Sequence, residues 1–209
     1  LPAGTNKVKF TATSDYGNNL YVDNIVVCNN YEFVKDTTIC NGAVYTWRGN
    51  SYSVAGTYYD SLQTALGCDS VYVLNLLVNP ILTAGISGGT TPLCYNTAPG
   101  TFTATGSGGT GSYTYLWYIN GASTGVITQT YAPGNLTATS TFYCAITSGS
   151  CGTVNTSTTT ITVYDVLTPG TIASDQTICY NTSPAAFTQT AAASGGNGSY
   201  AYQWQQQPG

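Results

Sequence analysis

A stretch of this sequence is written twice. Thr83 to Trp117 recurs as Thr168 to Trp204. Cys94-Tyr95-Asn96-Thr97 returns as Cys179-Tyr180-Asn181-Thr182, Phe102 as Phe187, and SGGTGSYTYLW (Ser107 to Trp117) as SGGNGSYAYQW (Ser194 to Trp204). The offset is 85 residues at the cysteine and 87 at the tryptophan, so the second copy carries a two-residue insertion. A fixed period of this size marks tandem modules, each one supersecondary unit. One module is about 85 residues long, and the second copy reaches Gly209 roughly half-way through.

The residues of that module read as strands. Tyr113, Tyr115 and Trp117 share one face, and Phe142, Cys144 and Ile146 share another. Thr158 to Val163 is a β-branched run suited to a final strand. Composition agrees. Only 6% of residues are charged, while 42% are hydrophobic and 12% aromatic. Such a chain folds rather than staying disordered. Its surface must be covered by Thr, Ser, Asn, Gln and Tyr, which suit a pleated sheet better than a solvated helix. The expectation is an all-β chain of about seven short strands per module with Gly-rich turns, an immunoglobulin-like β-sandwich.

Four segments follow along the chain. Residues 1–29 read as two strands, Lys7 to Thr13 and Asn19 to Val27, too few to stand alone. Residues 30–79 form a smaller β unit in which Tyr45 alternates with Trp47, and Tyr72, Leu74, Leu76 and Val78 share a face. Residues 80–166 are the complete module, and 167–209 the first half of a second. The whole reads as a linear array. The small unit is near the lower size limit for a core of its own. A bridge between Cys40 and Cys68 would stabilise it by about 3.5 kcal/mol in the chain-entropy model.

Charge and composition exclude several functions. The net charge is -4, and the four basic residues Lys7, Lys9, Lys35 and Arg48 cannot neutralise a phosphate backbone or anchor an anionic membrane. The longest apolar run, Val71 to Ile86, is broken by Asn75, Asn79 and Pro80 and is no transmembrane helix. No signal peptide opens the sequence, so it reads as a mature form or an internal fragment. Seven cysteines without a histidine point to an oxidising compartment and to structural disulfides. A thiol nucleophile would want a histidine base, and thiolate zinc sites want CxxC pairs; neither is present. The odd number leaves at least one cysteine free or bonded elsewhere. An immunoglobulin-style bridge would join Cys94 to Cys144, and Cys28 is unassigned.

Three further signals invite a functional reading. Gly106 to Gly111 matches GxGxxG, but a strand follows it instead of a helix, so it reads as a flexible loop. Trp47, Trp117 and Trp204 could be sugar platforms, yet recurrence at one place in two copies favours a core role. Asp15 and Asp23, on neighbouring strands, are the candidate calcium ligands; no other cofactor is implied. Glycosidase chemistry would need two facing carboxylates, which nothing in the sequence suggests.

The 85-residue module, with ICYNTSPAAF, GGNGSYAYQW and TYAPGNLTATSTFY…TSGSCG, resembles the PKD-like, immunoglobulin-like repeats of large secreted proteins of Bacteroidetes-type bacteria. The segment from Thr38 to Val78 resembles short repeats of the same proteins, and Lys9 to Val27 resembles the last strands of a jelly-roll domain of the carbohydrate-binding or MAM-like kind. The resemblance implies export by the type IX route, a place among adhesins including those of gliding motility, and a pairing of Cys94 with Cys151. Cys144 would then be a buried thiol or pair with another free cysteine, and Cys179 would pair beyond Gly209. It also implies O-glycosylation at an Asp-Ser/Thr-apolar sequon, met at Thr37, Ser61 and Ser70. Four N-x-S/T sequons (Asn135, Asn155, Asn181, Asn197) are not expected to be used. The incomplete ends suggest a window on a longer chain, or strands completed in trans.

The expectation is thus a non-catalytic extracellular or cell-surface repeat protein, an adhesin, stalk or filament component. Its partners would be neighbouring modules, other copies, surface polysaccharide or other cells. The alternatives are a non-catalytic carbohydrate-binding or spacer tail of a secreted polysaccharide hydrolase, and a structural subunit polymerising by strand exchange.

Overall fold

The computed structural model describes residues 31–63, 69–173 and 175–205, almost entirely as strands and turns. The hairpin expected in residues 1–29 lies outside them. The chain divides into two compact units, Leu1–Asn79 and Pro80–Gly209.

In the first unit β1 (Tyr31–Cys40), β2 (Tyr45–Trp47), β3 (Asn50–Tyr52), β4 (Gly56–Gln63) and β5 (Asp69–Asn79) follow one another. The apolar run of β5 places it centrally, parallel to β1 and antiparallel to β4. Its adjacent residues Val73 and Leu74, which point to opposite faces, are both buried. β1 is not evident from the sequence, because its pattern mixes Glu32, Lys35 and Asp36 with apolar residues. Those charges suit a strand at the edge of a sheet, where they discourage pairing with another chain.

β2 and β3 form a hairpin whose two turn residues, Arg48 and Gly49, both take positive φ, 50° and 84°. This is the primed turn that matches strand twist. Trp47 lies 6.1 Å from Tyr52, and Tyr52 lies 4.2 Å from Tyr58 of β4, so the hairpin packs on one face of the sheet.

The second unit opens with β6 (Thr83–Gly88), β7 (Phe102–Ser107), β8 (Thr114–Ile119), β9 (Ala122–Ser123), β10 (Thr130–Tyr131), β11 (Ser140–Thr147), β12 (Thr153–Asn155) and β13 (Thr159–Ile161). One sheet has the order β10-β7-β6. The other runs β12-β11-β8-β9, with β13 also on β11. This is the E-B-A sheet facing the G-F-C-C′ sheet of an immunoglobulin-like sandwich, with the last strand split into β12 and β13. Thr156 fills the split: its hydroxyl accepts from the Cys144 N–H at 3.0 Å, and its own N–H donates to the Cys144 carbonyl at 2.9 Å.

The core is the inward set that alternation picks out. Phe102 and Ala104 come from one sheet; Trp117, Phe142, Cys144 and Ile146 come from the other, and all are fully buried. Phe102 stacks on Phe142 at 4.8 Å and meets Trp117 at 6.1 Å. The indole N–H of Trp117 donates to the Thr128 carbonyl at 2.9 Å, so the ring is buried without an orphan donor.

The Gly106 to Gly111 loop, expected to be flexible, is instead packed. Gly109 donates to the Pro80 carbonyl, Thr110 N–H donates to the buried Ser148 hydroxyl, and the Tyr113 hydroxyl donates back to the Gly108 carbonyl. A Cβ on Gly109 would lie 2.5 Å from Ser148 Oγ, and its φ is +60°. Glycine is there for room as well as for turning.

The partial second copy carries β14 (Thr171–Ile172) and β15 (Gln189–Ala191), paired antiparallel like β6 and β7. It repeats several of the first copy's bonds. Gly196 donates to the Asp165 carbonyl as Gly109 does to Pro80, and Tyr200 to Gly195 as Tyr113 does to Gly108. Asn181 takes a φ of 61° where Asn96 takes 59°.

The core makes a directional prediction. Phe142→Ala should destabilise the sandwich by about 3–5 kcal/mol. Tyr143→Ala, one residue on and facing outward, should cost about 1 kcal/mol or less. Urea unfolding of the full chain, read by the emission of buried Trp117, separates the two.

Candidate functional site

The cysteines depart from expectation. Cys94 is a free, exposed thiol, so it forms a bridge neither with Cys151 nor with Cys144. Topology gives the reason. Leu93 bridges to Val163, beyond the Ser140 end of β11, whereas Cys151 follows its Thr147 end. Eight residues of strand span about 25 Å, and a disulfide needs Cα atoms within about 7 Å. The bridge to Cys144 fails because Cys94 precedes β7; the strand positions facing Cys144 belong to Phe102 and Ala104. Cys40 and Cys151 are each disulfide-bonded. Cys68 and Cys28 lie outside the described residues. Cys179 is exposed and free, like its counterpart Cys94.

Cys144 is a buried free thiol. Burial pushes its pKa up, because the thiolate would lose its hydration, and a backbone hydrogen bond with Leu116 offsets this only in part. A thiol held neutral among Trp117, Phe142 and Ile146 behaves as a small apolar side chain.

The candidate modification residues sit on one sheet. Thr37 on β1 is half-buried opposite Leu76, Ser61 on β4 is exposed opposite Val71, and Ser70 on β5 is half-buried opposite Tyr31 and Leu62. Two of the acids that precede such residues have structural partners. Asn75 Nδ2 donates to Asp36 Oδ1 at 2.8 Å, and Asp60 pairs with Arg48. Asp15 and Asp23, the proposed calcium ligands, lie outside the described residues, and no cluster of three or more metal-ligating side chains occurs among those described. The tryptophans split: Trp117 is core, Trp47 is half-buried beside Tyr52, and Trp204 is 70% exposed, against the core role expected of it.

Aromatic side chains mark two surfaces. On the first unit Tyr31, Phe33 and Tyr72 form a row, with Phe33 and Tyr72 4.9 Å apart. The Arg48 guanidinium lies 3.7 Å above the Tyr72 ring while pairing with Asp60. These contacts hold Arg48 in its positive-φ turn and raise its pKa, the Asp60 hydrogen bond first among the causes. On the complete module, Tyr118 and Tyr143 stand directly opposite on β8 and β11, rings 4.6 Å apart and 4° from parallel. Leu116, Ala145, Thr141 and Ser123 surround them on the outer face of the five-stranded sheet. From Ser70 to Tyr164 the sequence contains no Asp, Glu, Lys or Arg, so this face is wholly uncharged.

Strand order and core together define an immunoglobulin-like β-sandwich repeat protein. The chain belongs to the family described as "Domain of unknown function (DUF8696)", whose model matches twice, over residues 83–165 and 168–208, more than half of the chain. No curated protein sequence matches it. Similar solved structures include crystal structures of the N-terminal four Ig domains of Dscam1. Isoform 4.44 is 10% identical with a TM-score of 0.38, covering 66% of this chain and 45% of that one. Isoform 7.44 is 10% identical with a TM-score of 0.39 and the same coverage. The chain therefore spans less than half the length of those structures. Scores this low add nothing to the fold assignment, which rests on the strands themselves. Neither comparison supports the PKD-like, Bacteroidetes-type origin that the motifs resemble. Among the described residues, no helix is long and apolar enough to cross a membrane.

The thiols yield a pH prediction. Cys144 is protonated in the folded state to a higher pH than in the unfolded chain, whose thiol titrates near ~8.5. Its contribution is full below that value and is lost as pH rises towards its raised folded pKa. Stability should therefore fall across the mildly alkaline range, below the onset of tyrosine ionisation near ~10, and Cys144→Ala should flatten that dependence. Iodoacetamide should label Cys94 and Cys179 in the native chain and Cys144 only on unfolding.

Proposed function

We propose that this chain is a non-catalytic, extracellular repeat protein that serves as an adhesin, a stalk or a surface-filament component, with adhesion carried by the uncharged outer face of its complete module. The observation that carries this reading is the absence of any charged residue from Ser70 to Tyr164 around a half-buried, outward-facing tyrosine stack. A surface of Tyr, Thr, Ser and Asn offers amphipathic contact area and hydrogen bonds with little charge to desolvate. A complete module followed in sequence by a partial copy that repeats several of its bonds supplies reach. Disulfide-bonded Cys40 and Cys151 support an oxidising compartment outside the cell.

The partners fitting this face are other copies of the chain and surface polysaccharide, both of which present hydroxyls and apolar CH faces. Electrostatic recognition weakens with salt, whereas contact through neutral groups does not. Beads coated with the chain should cluster, or adhere to polysaccharide, equally at low and high salt. The double variant Tyr118→Ser/Tyr143→Ser should lose most of that adhesion while keeping its unfolding midpoint within a few degrees. Adhesion that salt abolishes, or that the double variant retains in full, would refute the assignment to this face.

A further inference from the structure

Tyr118 of β8 and Tyr143 of β11 are held ring against ring, 4.6 Å between centroids and 4° from parallel. Near-parallel rings at this separation stack with an offset, so carbons of one lie about 3.5–4 Å from carbons of the other. The backbone fixes the encounter. One pair along on the same face, the Asn120 N–H donates to the Thr141 carbonyl at 2.9 Å, and the Thr141 N–H donates to Asn120 Oδ1 at 2.8 Å. On the inner face the neighbouring pair, Trp117 and Cys144, is fully buried and locks the same register from within. Both tyrosines are half-buried, and among the described residues neither hydroxyl has a hydrogen-bond partner. The phenols are open to water while their rings are kept face to face.

A second close tyrosine pair differs. Tyr52 and Tyr58 lie 4.2 Å apart but are tilted by 45°, and the Tyr58 hydroxyl donates to the Val54 carbonyl at 2.7 Å. Composition bears on the chemistry. With 18 Tyr, no Met and no His, phenol is the commonest oxidisable side chain of this sequence.

We infer that Tyr118 and Tyr143 form a modification site, at which a peroxidase using hydrogen peroxide joins them as an intramolecular dityrosine. Each phenol gives up one electron and one proton, and one hydrogen peroxide accepts both pairs and leaves as two waters. The two phenoxyl radicals pair their electrons in a carbon–carbon bond between ring carbons ortho to the hydroxyls. Each bonded carbon then loses its hydrogen as a proton, and each phenoxyl oxygen regains one, which restores two phenols. The chain ends lighter by two hydrogen atoms. Groups already held in contact react ahead of groups that must meet by collision, so the bond forms within a chain rather than between chains. It ties β8 to β11 in a module whose thiols Cys94 and Cys144 are free. The inference does not rest on the adhesive reading, because the ring geometry is the same whether or not this face binds a partner.

The test uses the full chain. Its exposed thiols, Cys94 and Cys179, are first alkylated with iodoacetamide so that they do not quench the radicals. A haem peroxidase and hydrogen peroxide should then give dityrosine fluorescence in a product that still migrates as a monomer. Peptic mapping by mass should join the fragment holding Tyr118 to that holding Tyr143, with the loss of two hydrogen atoms. The joined chain should unfold at higher urea than the untreated one. Tyr118→Phe and Tyr143→Phe keep both rings and remove one phenol each. Either should cut the yield about fivefold or more while leaving Trp117 emission unchanged, and so should running the reaction on the parent chain unfolded in urea, where the register is lost. A yield in urea equal to the native yield would overturn the inference. So would a dityrosine that joins another pair, Tyr52 with Tyr58 included, one that forms only between chains, or none at all.

Discussion

The stack of Phe102 on Phe142 joins the two sheets of the complete module, and the rest of the second unit depends on it. It sits within one apolar core that also holds Trp117, Ile146 and Ile161. No charged residue occurs between Ser70 and Tyr164, so the sandwich has no ion pairs of its own. Cys94 and Cys144 are free thiols, and the place where an immunoglobulin domain carries its inter-sheet disulfide is filled by apolar packing. Burial of Phe102, Trp117, Phe142 and Ile146, each worth about 1.5–3 kcal/mol, therefore does what a sulfur bridge does elsewhere. Cys144 contributes to that packing as a neutral side chain.

Much of this was legible in the sequence because strands advertise themselves by alternation. Phe142, Cys144 and Ile146 share one face by alternation, and all three are fully buried. The repeat pointed to the correct indole, Trp117, as a core residue, and the same reasoning misplaced Trp204. A shared position implies a shared contact but not a shared cover, and burial requires both. Pairing of cysteines was not legible, since spacing does not say which end of β11 a distant loop visits. Cys94 and Cys151 prove to sit at opposite ends. β1 leaves no trace in the sequence for a related reason: its partner β5 is parallel and about 40 residues away, so no local turn or alternation signals the pairing.

The glycine-rich loop shows where composition misleads. Gly106 to Gly111 has the look of a mobile connection. In the structure Gly108 and Gly109 are pressed between the chain at Pro80 and Ile81 on one side and Ser148 on the other. Their freedom is used once, to let backbones approach, and is then lost. A contact between residues 38 apart, such as Thr110 with Ser148, has no trace in a local window of sequence. The adhesive face was hidden for the opposite reason. Outward tyrosines obey the same alternation as inward ones, so Tyr118 and Tyr143 become a surface feature only once the register sets them opposite each other.

The two copies also separate what is encoded locally from what is not. The Asn turn, the tyrosine-to-glycine hydroxyl bond, the glycine-to-carbonyl bond and the Phe–Trp contact all form within the first half of the repeat, and they form in both copies. Removal of those rings from water needs the β11 strand, which the second copy lacks among its described residues. The first half thus sets local bonds, and burial of its rings draws on side chains from both halves, Phe142, Ile146 and Ile161 among them. A module divided in this way depends on contacts distant in sequence, with the loop-closure cost and slow folding that such topology brings.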